Sequence, residues 1–271
     1  MSLRSAPLAI SISNSADLAV LGLSEGHLRD AMVEIARYLL AQGARLVYAG
    51  DLRAHGFTQL LFELVARHRD NTPANDAETG VVNYLAWPVH AGYKPEDLQK
   101  FRSDLEGSAE LVCMELDGTA LSFDARLQMP QQTPTEAQWV DGLTAMRAAV
   151  CTQTMARIVL GGAVENYKGR MPGIAEEALL SLETGQPLYV LGGFGGCARD
   201  IAETLGLVAP LCATARAWDG RKDFEGRSTK DLNNGLTDEE NATMARTCHI
   251  DQAVTLLLRG LMNVSRGARA S

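Results

Sequence analysis

Arg157-Ile158-Val159-Leu160-Gly161-Gly162 and Leu188-Tyr189-Val190-Leu191-Gly192-Gly193-Phe194-Gly195-Gly196 decide the fold. Each is a short apolar run rich in strand-forming residues that stops at a pair of glycines. Between them Ile174 to Leu182 has helical periodicity and ends at Gly185, and a further helix is expected from about Ala198 to Leu205. Strand, glycine turn, helix, strand, glycine turn, helix is the pattern of parallel strands joined by helical crossovers.

The same alternation runs back through the chain. Leu8 to Ser13, Ala44 to Ala49, Val81 to Trp87 and Glu110 to Leu116 read as strands. In the first helix, Ser24 is the expected N-cap and Gly43 the stop. Its core face is Leu28, Ala31, Met32, Ile35, Ala36, Leu39 and Leu40. Phe57, Leu60, Leu61, Leu64 and Val65 mark a second helix, Pro95 opens a short one, and Pro134 to Val150 reads as another. Asp70 to Glu78 is polar and turn-rich. The expected fold class is α/β, Rossmann-like: a mostly parallel sheet of about six or seven strands with helices on both faces. Residues 1–271 read as a single domain, with 1 to about 210 as core. From 211 to 271 a loop, polar over Asp219 to Asn234, leads to C-terminal helices. Thr237-Asp238-Glu239-Glu240 has capping-box spacing, and Ile250 to Leu261 is amphipathic.

Composition narrows the function. The 271 residues carry 25 Lys+Arg against 33 Asp+Glu, a formal charge of −8. That balance disfavours nucleic acid and anionic membrane as partners, which select for basic excess. The N-terminus lacks the apolar core of a signal peptide, and no apolar run reaches the ~18 residues of a spanning helix, so a cytoplasmic location is expected. Cys113, Cys151, Cys197, Cys212 and Cys248 are scattered without CxxC spacing, as reduced thiols would be, and no metal site is indicated. His27, His55, His68, His90 and His249 form no triad pattern and read as solvated. Trp87, Trp139 and Trp218 are isolated.

The chemistry is expected at the glycine turns. In open α/β sheets ligands bind beyond the carboxyl ends of the strands. Glycines there let backbone N–H groups approach a ligand, and the following helix offers its positive N-terminus to phosphate. Gly161, Gly162, Gly192, Gly193, Phe194, Gly195 and Gly196 are therefore candidate ligand contacts. The turn after the first strand adds Ser11, Ser13 and Asn14, and the turn after the second adds Gly50 and Asp51. Lys168 and Arg170, in the loop between the glycine turns, could neutralise phosphate. Glu176 or Glu177, in the first turns of the next helix, could take ribose hydroxyls. Gly193 to Ala198 also fits G-x-G-x-x-G/A, but it follows the sixth strand instead of the first, which disfavours a dinucleotide dehydrogenase. Gly50 to Thr58 fails the P-loop pattern at its second glycine and its lysine.

Several stretches together resemble the SLOG superfamily. They are Ile10-Ser11-Ile12-Ser13, Gly22-Leu23-Ser24-Glu25, Asp30 to Leu40, Gly50-Asp51-Leu52-Arg53 with Gly56-Phe57-Thr58, and Phe62 to Val65. Tyr167 to Gly173, Gly192 to Gly196 and Asn234 to Asn241 complete the set. The chain is most similar to the bacterial group often found beside a TIR domain. The resemblance implies a Rossmann-like nucleotide sensor that reads an ADP-ribose-like or cyclic ADP-ribose-like signal in antiphage defence. It implies no required cofactor, a homodimer or higher homo-oligomer, and a TIR-type or other effector encoded separately. Hydrolases of the superfamily carry P-G-G-x-G-T-x-x-E. Here Leu191, Gly196 and Arg199 replace the proline, the threonine and the catalytic glutamate. A cation in place of that carboxylate argues for sensing over hydrolysis. An N-glycosidic hydrolase relying on Glu176 or Glu177 is the alternative, and an oligomeric interaction module is the third reading.

Overall fold

The computed structural model describes residues 3–53, 56–70, 80–105 and 109–270. The strands are β1 (Pro7–Ser13), β2 (Arg45–Tyr48), β3 (Val81–Leu85), β4 (Ala109–Met114), β5 (Ala120–Leu121), β6 (Ala156–Gly161) and β7 (Leu188–Leu191). The helices are α1 (Glu25–Ala41), α2 (Phe57–Asp70), α3 (Trp87–Ala91), α4 (Pro95–Asp104), α5 (Phe123–Leu127) and α6 (Glu136–Thr152), followed by α7 (Gly173–Thr184), α8 (Gly196–Thr204), α9 (Asp238–Arg246) and α10 (Ile250–Ala270). The strands form a seven-stranded sheet in the order β5-β4-β3-β2-β1-β6-β7. The pairs β1–β2, β2–β3, β3–β4 and β6–β7 are parallel, and the two-residue β5 runs antiparallel to β4. The fold is a Rossmann-like α/β fold, as expected.

The chain divides into two compact units: Ile10–Ile35 with Met155–Ser271, and Ser2–Ala9 with Ala36–Thr154. The core of the first joins Val159, Leu188 and Val190 to Ile174, Ala178 and Leu182 of α7 and Cys197, Ile201 and Ala202 of α8. In the second, Val47, Ala86, Met114, Met146 and Val150 cluster together. All seven residues expected on the core face of α1 are buried.

Local signals place most boundaries. At α1, Ser24 N–H donates to His27 Nδ1 at 3.0 Å, so a histidine takes the capping-box role usually given to Glu or Gln. Thr237 and Glu240 form the expected capping box at α9. The third strand stops at Leu85 instead of Trp87, because Pro88 stands in the first turn of α3, where a missing N–H costs nothing. β5 is too short to show as periodicity. Apart from Asp70, which ends α2, the turn-rich stretch lies outside the described residues; so do His55 and the side chain of His68. The segment 219–234, read as a polar surface loop, contains two 3-10 turns, Arg221–Phe224 and Thr229–Leu232, that bury Phe224 and Leu232 completely.

Candidate functional site

The two glycine turns of the first unit meet at the ends of β6 and β7. Cys197 N–H donates to Gly162 O at 2.9 Å, and Gly162 N–H donates to Ser13 O at 2.9 Å, which joins both turns to the end of β1. The glycines are buried, and their missing side chains make room for backbone. A Cβ on Gly196 would stand 2.5 Å from Gly162 O, and one on Gly192 would stand 2.6 Å from Ala245 O. One on Gly193 would strike Thr247 O. Gly195 has φ +72, a conformation open to glycine, and turns the chain into α8. Close packing against the end of α9 and the neighbouring turn thus accounts for Gly192, Gly193 and Gly196. Phe194 is buried in the same turn.

The N-terminus of α8 already holds an anion from its own chain. Gly196 N–H donates to Asp17 Oδ2 at 2.7 Å. Arg216 grips the same carboxylate with both terminal nitrogens, Nη1 to Oδ1 at 2.7 Å and Nη2 to Oδ2 at 2.8 Å. Arg216 also reaches Asp200 of α8 at 2.7 Å, and Trp218 Nε1 donates to the other oxygen of Asp200 at 3.1 Å. Arg221 stands 3.8 Å from Asp200. Burial works against the Arg216 charge, but the bonds to Asp200 and Asp17 outweigh it and raise its pKa. Trp218, isolated in the sequence, thus belongs to this network and also packs edge-on against Phe224.

Arg199 is committed elsewhere. Its Nε bonds Glu203 at 3.0 Å and its Nη2 donates to Ala209 O at 2.7 Å. The cation that stands where the hydrolases have their glutamate is therefore neutralised along its own helix.

Glu177 and Ser11, both expected to face ligand, are engaged inside the first unit. Arg157, 1% exposed, donates from Nη1 to Ser11 Oγ at 2.8 Å and from Nε to Ser181 Oγ at 3.1 Å. The same Nη1 lies 3.5 Å from Glu177 Oε2, while Nη2 makes no hydrogen bond among the described residues. Glu176 is buried as well. Ser13 Oγ accepts Ala163 N–H at 3.2 Å. Asn14, Lys168 and Arg170 are exposed. The loop carrying Lys168 and Arg170 is tied to the C-terminal segment by a hydrogen bond from Tyr167 to Asp219, which raises the Tyr167 pKa. Burial drives the Cys197 thiol pKa far up, so it carries no thiolate.

In the second unit, Gly50 pairs with the fully buried Asn83: Gly50 N–H donates to Oδ1 at 3.2 Å, and Nδ2 donates to Gly50 O at 3.1 Å. The Asp51 carboxylate accepts Arg53 N–H and bonds the Arg53 side chain at 2.6 Å. His90, read as solvated, is fully buried. Its Nε2 bonds Met114 O at 2.8 Å, and its Nδ1 accepts from Arg126 Nε at 2.9 Å, which makes it a neutral Nε2–H tautomer. Burial lowers its pKa to about 4. Arg126 also donates from Nη1 to Met129 O and from Nη2 to the carbonyls of His90 and Tyr93.

Among the described residues no group of three His, Cys, Asp or Glu side chains is placed to hold a metal ion. No described helix is long and apolar enough to cross a membrane. Sequence reasoning missed Asp17, Asp200, Arg216 and Arg221. Lone charges far apart in the chain leave no spacing signal. The odd feature that could have pointed to them is Asp200 on the otherwise apolar face of α8.

A search of the curated proteins finds no match. The family model for SLOG cluster 2 matches residues 2–244. That span holds both glycine turns, the Asp17–Arg216–Asp200 network and the Asn234 to Asn241 stretch, and the chain belongs to the SLOG cluster 2 family.

Proposed function

We propose that this nucleotide-related domain is a sensor that binds an ADP-ribose-like or cyclic ADP-ribose-like nucleotide without robust catalysis, as part of bacterial antiphage defence. The observation that carries the reading is the anion cradle at the ends of β6 and β7. There a glycine turn, the first amide of α8 and the Arg216 guanidinium converge on one carboxylate. Such a set of donors suits a phosphate. Exposed Lys168 and Arg170 add positive charge on the loop after β6. Sensing is favoured over hydrolysis because Glu177 faces Arg157 and Arg199 faces Glu203. A carboxylate tied to a buried guanidinium is a poor partner for an oxocarbenium-like centre. The protein would act in the cytoplasm as a homodimer or higher homo-oligomer, with a separately encoded TIR-type effector as the downstream partner.

The test is calorimetry against ADP-ribose, cyclic ADP-ribose isomers, NAD, AMP and cyclic dinucleotides, with mass spectrometry of the recovered ligand. Saturable binding of one ADP-ribose-type compound recovered intact is expected. Recovery of free base would move the reading to a hydrolase, and binding of none would remove it. Light scattering with and without ligand reads the assembly.

A further inference from the structure

We propose that Asp17 is an internal anion seated where the nucleotide's phosphate binds, so that ligand enters by displacing Asp17 and taking over Arg216. The proposal rests on the reading of the glycine turns as a nucleotide site. Asp17 holds both kinds of donor that recognise phosphate: a helix-terminal amide at 2.7 Å and a guanidinium fork at 2.7 and 2.8 Å. Its seat is shaped for it, since a Cβ on Gly195 would stand 2.5 Å from Asp17 Cβ.

The two carboxylates on Arg216 are not equivalent. Asp200 is fixed on α8, its side chain 3% exposed and bonded also by Trp218. Asp17 lies on the connection from β1 to α1, its side chain 17% exposed, three residues before Val20, which is 81% exposed. When Asp17 leaves, Asp200 keeps Arg216 aimed at the N-terminus of α8. Charge supports an exchange over an addition. Arg199, Arg216 and Arg221 balance Asp17, Asp200 and Glu203, so a phosphate arriving beside a seated Asp17 meets a cluster already neutral, while one that replaces Asp17 fills the charge it vacates. A seat filled by its own side chain for more than about nine-tenths of the time weakens apparent affinity at least tenfold.

Asp17→Asn keeps the shape and removes the charge. ADP-ribose and inorganic pyrophosphate are titrated into the wild type and this variant by calorimetry, with melting curves of both proteins free of ligand. Both probes are expected to bind the variant at least about tenfold tighter. The ligand-free variant should melt lower, and the gain should vanish in Asp17→Asn/Arg216→Met. Equal or weaker binding by the variant, where the wild type binds, overturns the displacement and leaves the nucleotide reading intact. If neither protein binds either probe, the displacement is overturned, and the nucleotide reading stands or falls separately on the wider nucleotide panel. Asp17→Ser, which keeps a hydroxyl acceptor for Gly196 N–H, gives the same test should Asp17→Asn fold poorly.

Discussion

Two arginines, Arg126 and Arg157, are each 1% exposed, one in each compact unit, and different chemistry holds them. In the second unit Arg126 rests on three carbonyl oxygens and the Nδ1 of a neutral histidine. In the first, Arg157 rests on two hydroxyls and the Glu177 carboxylate, and one of its nitrogens has no hydrogen-bond partner among the described residues. Arg126 therefore staples α5 to the end of α3 and to the chain at Met129, with dipoles balancing the charge. Arg157 ties β6 to α7 and β1 with a formal counter-charge. A charge balanced by dipoles has no single partner whose removal compensates for its loss. A charge balanced by a carboxylate does.

The largest effect is therefore expected at Arg126. Arg126→Met takes a donor from the buried His90 ring and carbonyl and from the half-buried carbonyls of Tyr93 and Met129, and should cost roughly 3–5 kcal/mol of unfolding free energy in urea titration. A loss under about 1 kcal/mol would show that the carbonyls find water, and would break the contrast.

Arg157→Met should cost somewhat less, roughly 2–4 kcal/mol, because it leaves Glu177 buried without its cation. The double variant Arg157→Met/Glu177→Leu should recover more than half of that loss, whereas no second substitution rescues Arg126→Met. Additive losses in the cycle would mean that the 3.5 Å pair is not coupled.

The pH dependence sharpens the comparison, because His90 titrates inside the Arg126 staple. Its folded pKa, about 4, lies below the ordinary value of 6.5, so the unfolded chain takes up the proton first as pH falls. The stability tied to neutral His90 is complete above pH 6.5 and is lost as pH falls toward 4, by up to about 3 kcal/mol. The difference in stability between wild type and His90→Gln should shrink across that window. A difference that stays constant with pH would show that His90 is not held neutral.

The smallest stability effect is expected at exposed Arg170. Arg170→Ala should shift unfolding by no more than ~0.5 kcal/mol. It should weaken binding of a diphosphate ligand by roughly 1.5–3 kcal/mol if its charge-assisted bonds are made. Unchanged affinity would remove Arg170 from the site.

What could be read from the residues differs in kind between elements and site. Six strands and the core face of α1 follow from periodicity, because burial of one face repeats at 2 or 3.6 residues wherever the element packs. The capping box at Thr237 and the glycine stop at Gly43 are local rules, and both hold. The glycine turns were visible for the same reason, yet their purpose was not. That Gly193 faces Thr247 O, and that Gly195 faces Asp17, depends on segments far away in the chain. His90 looked solvated because its neighbours Val89 and Ala91 say nothing of the arginine that caps its Nδ1 from 36 residues on.

The sequence by itself determined the α/β alternation, the family and the position of the glycine turns. Each is written in spacings shorter than a helix or in motifs read along one strand-turn-helix unit. Tertiary structure alone decided that Arg157 meets Glu177 and that Arg216 meets Asp17 and Asp200. Each grouping draws on different elements, and no periodicity marks them, unlike the i,i+4 pair Arg199–Glu203 within α8. The strength of an ion pair depends on distance and on how far it is removed from water, and only the packed fold sets either one.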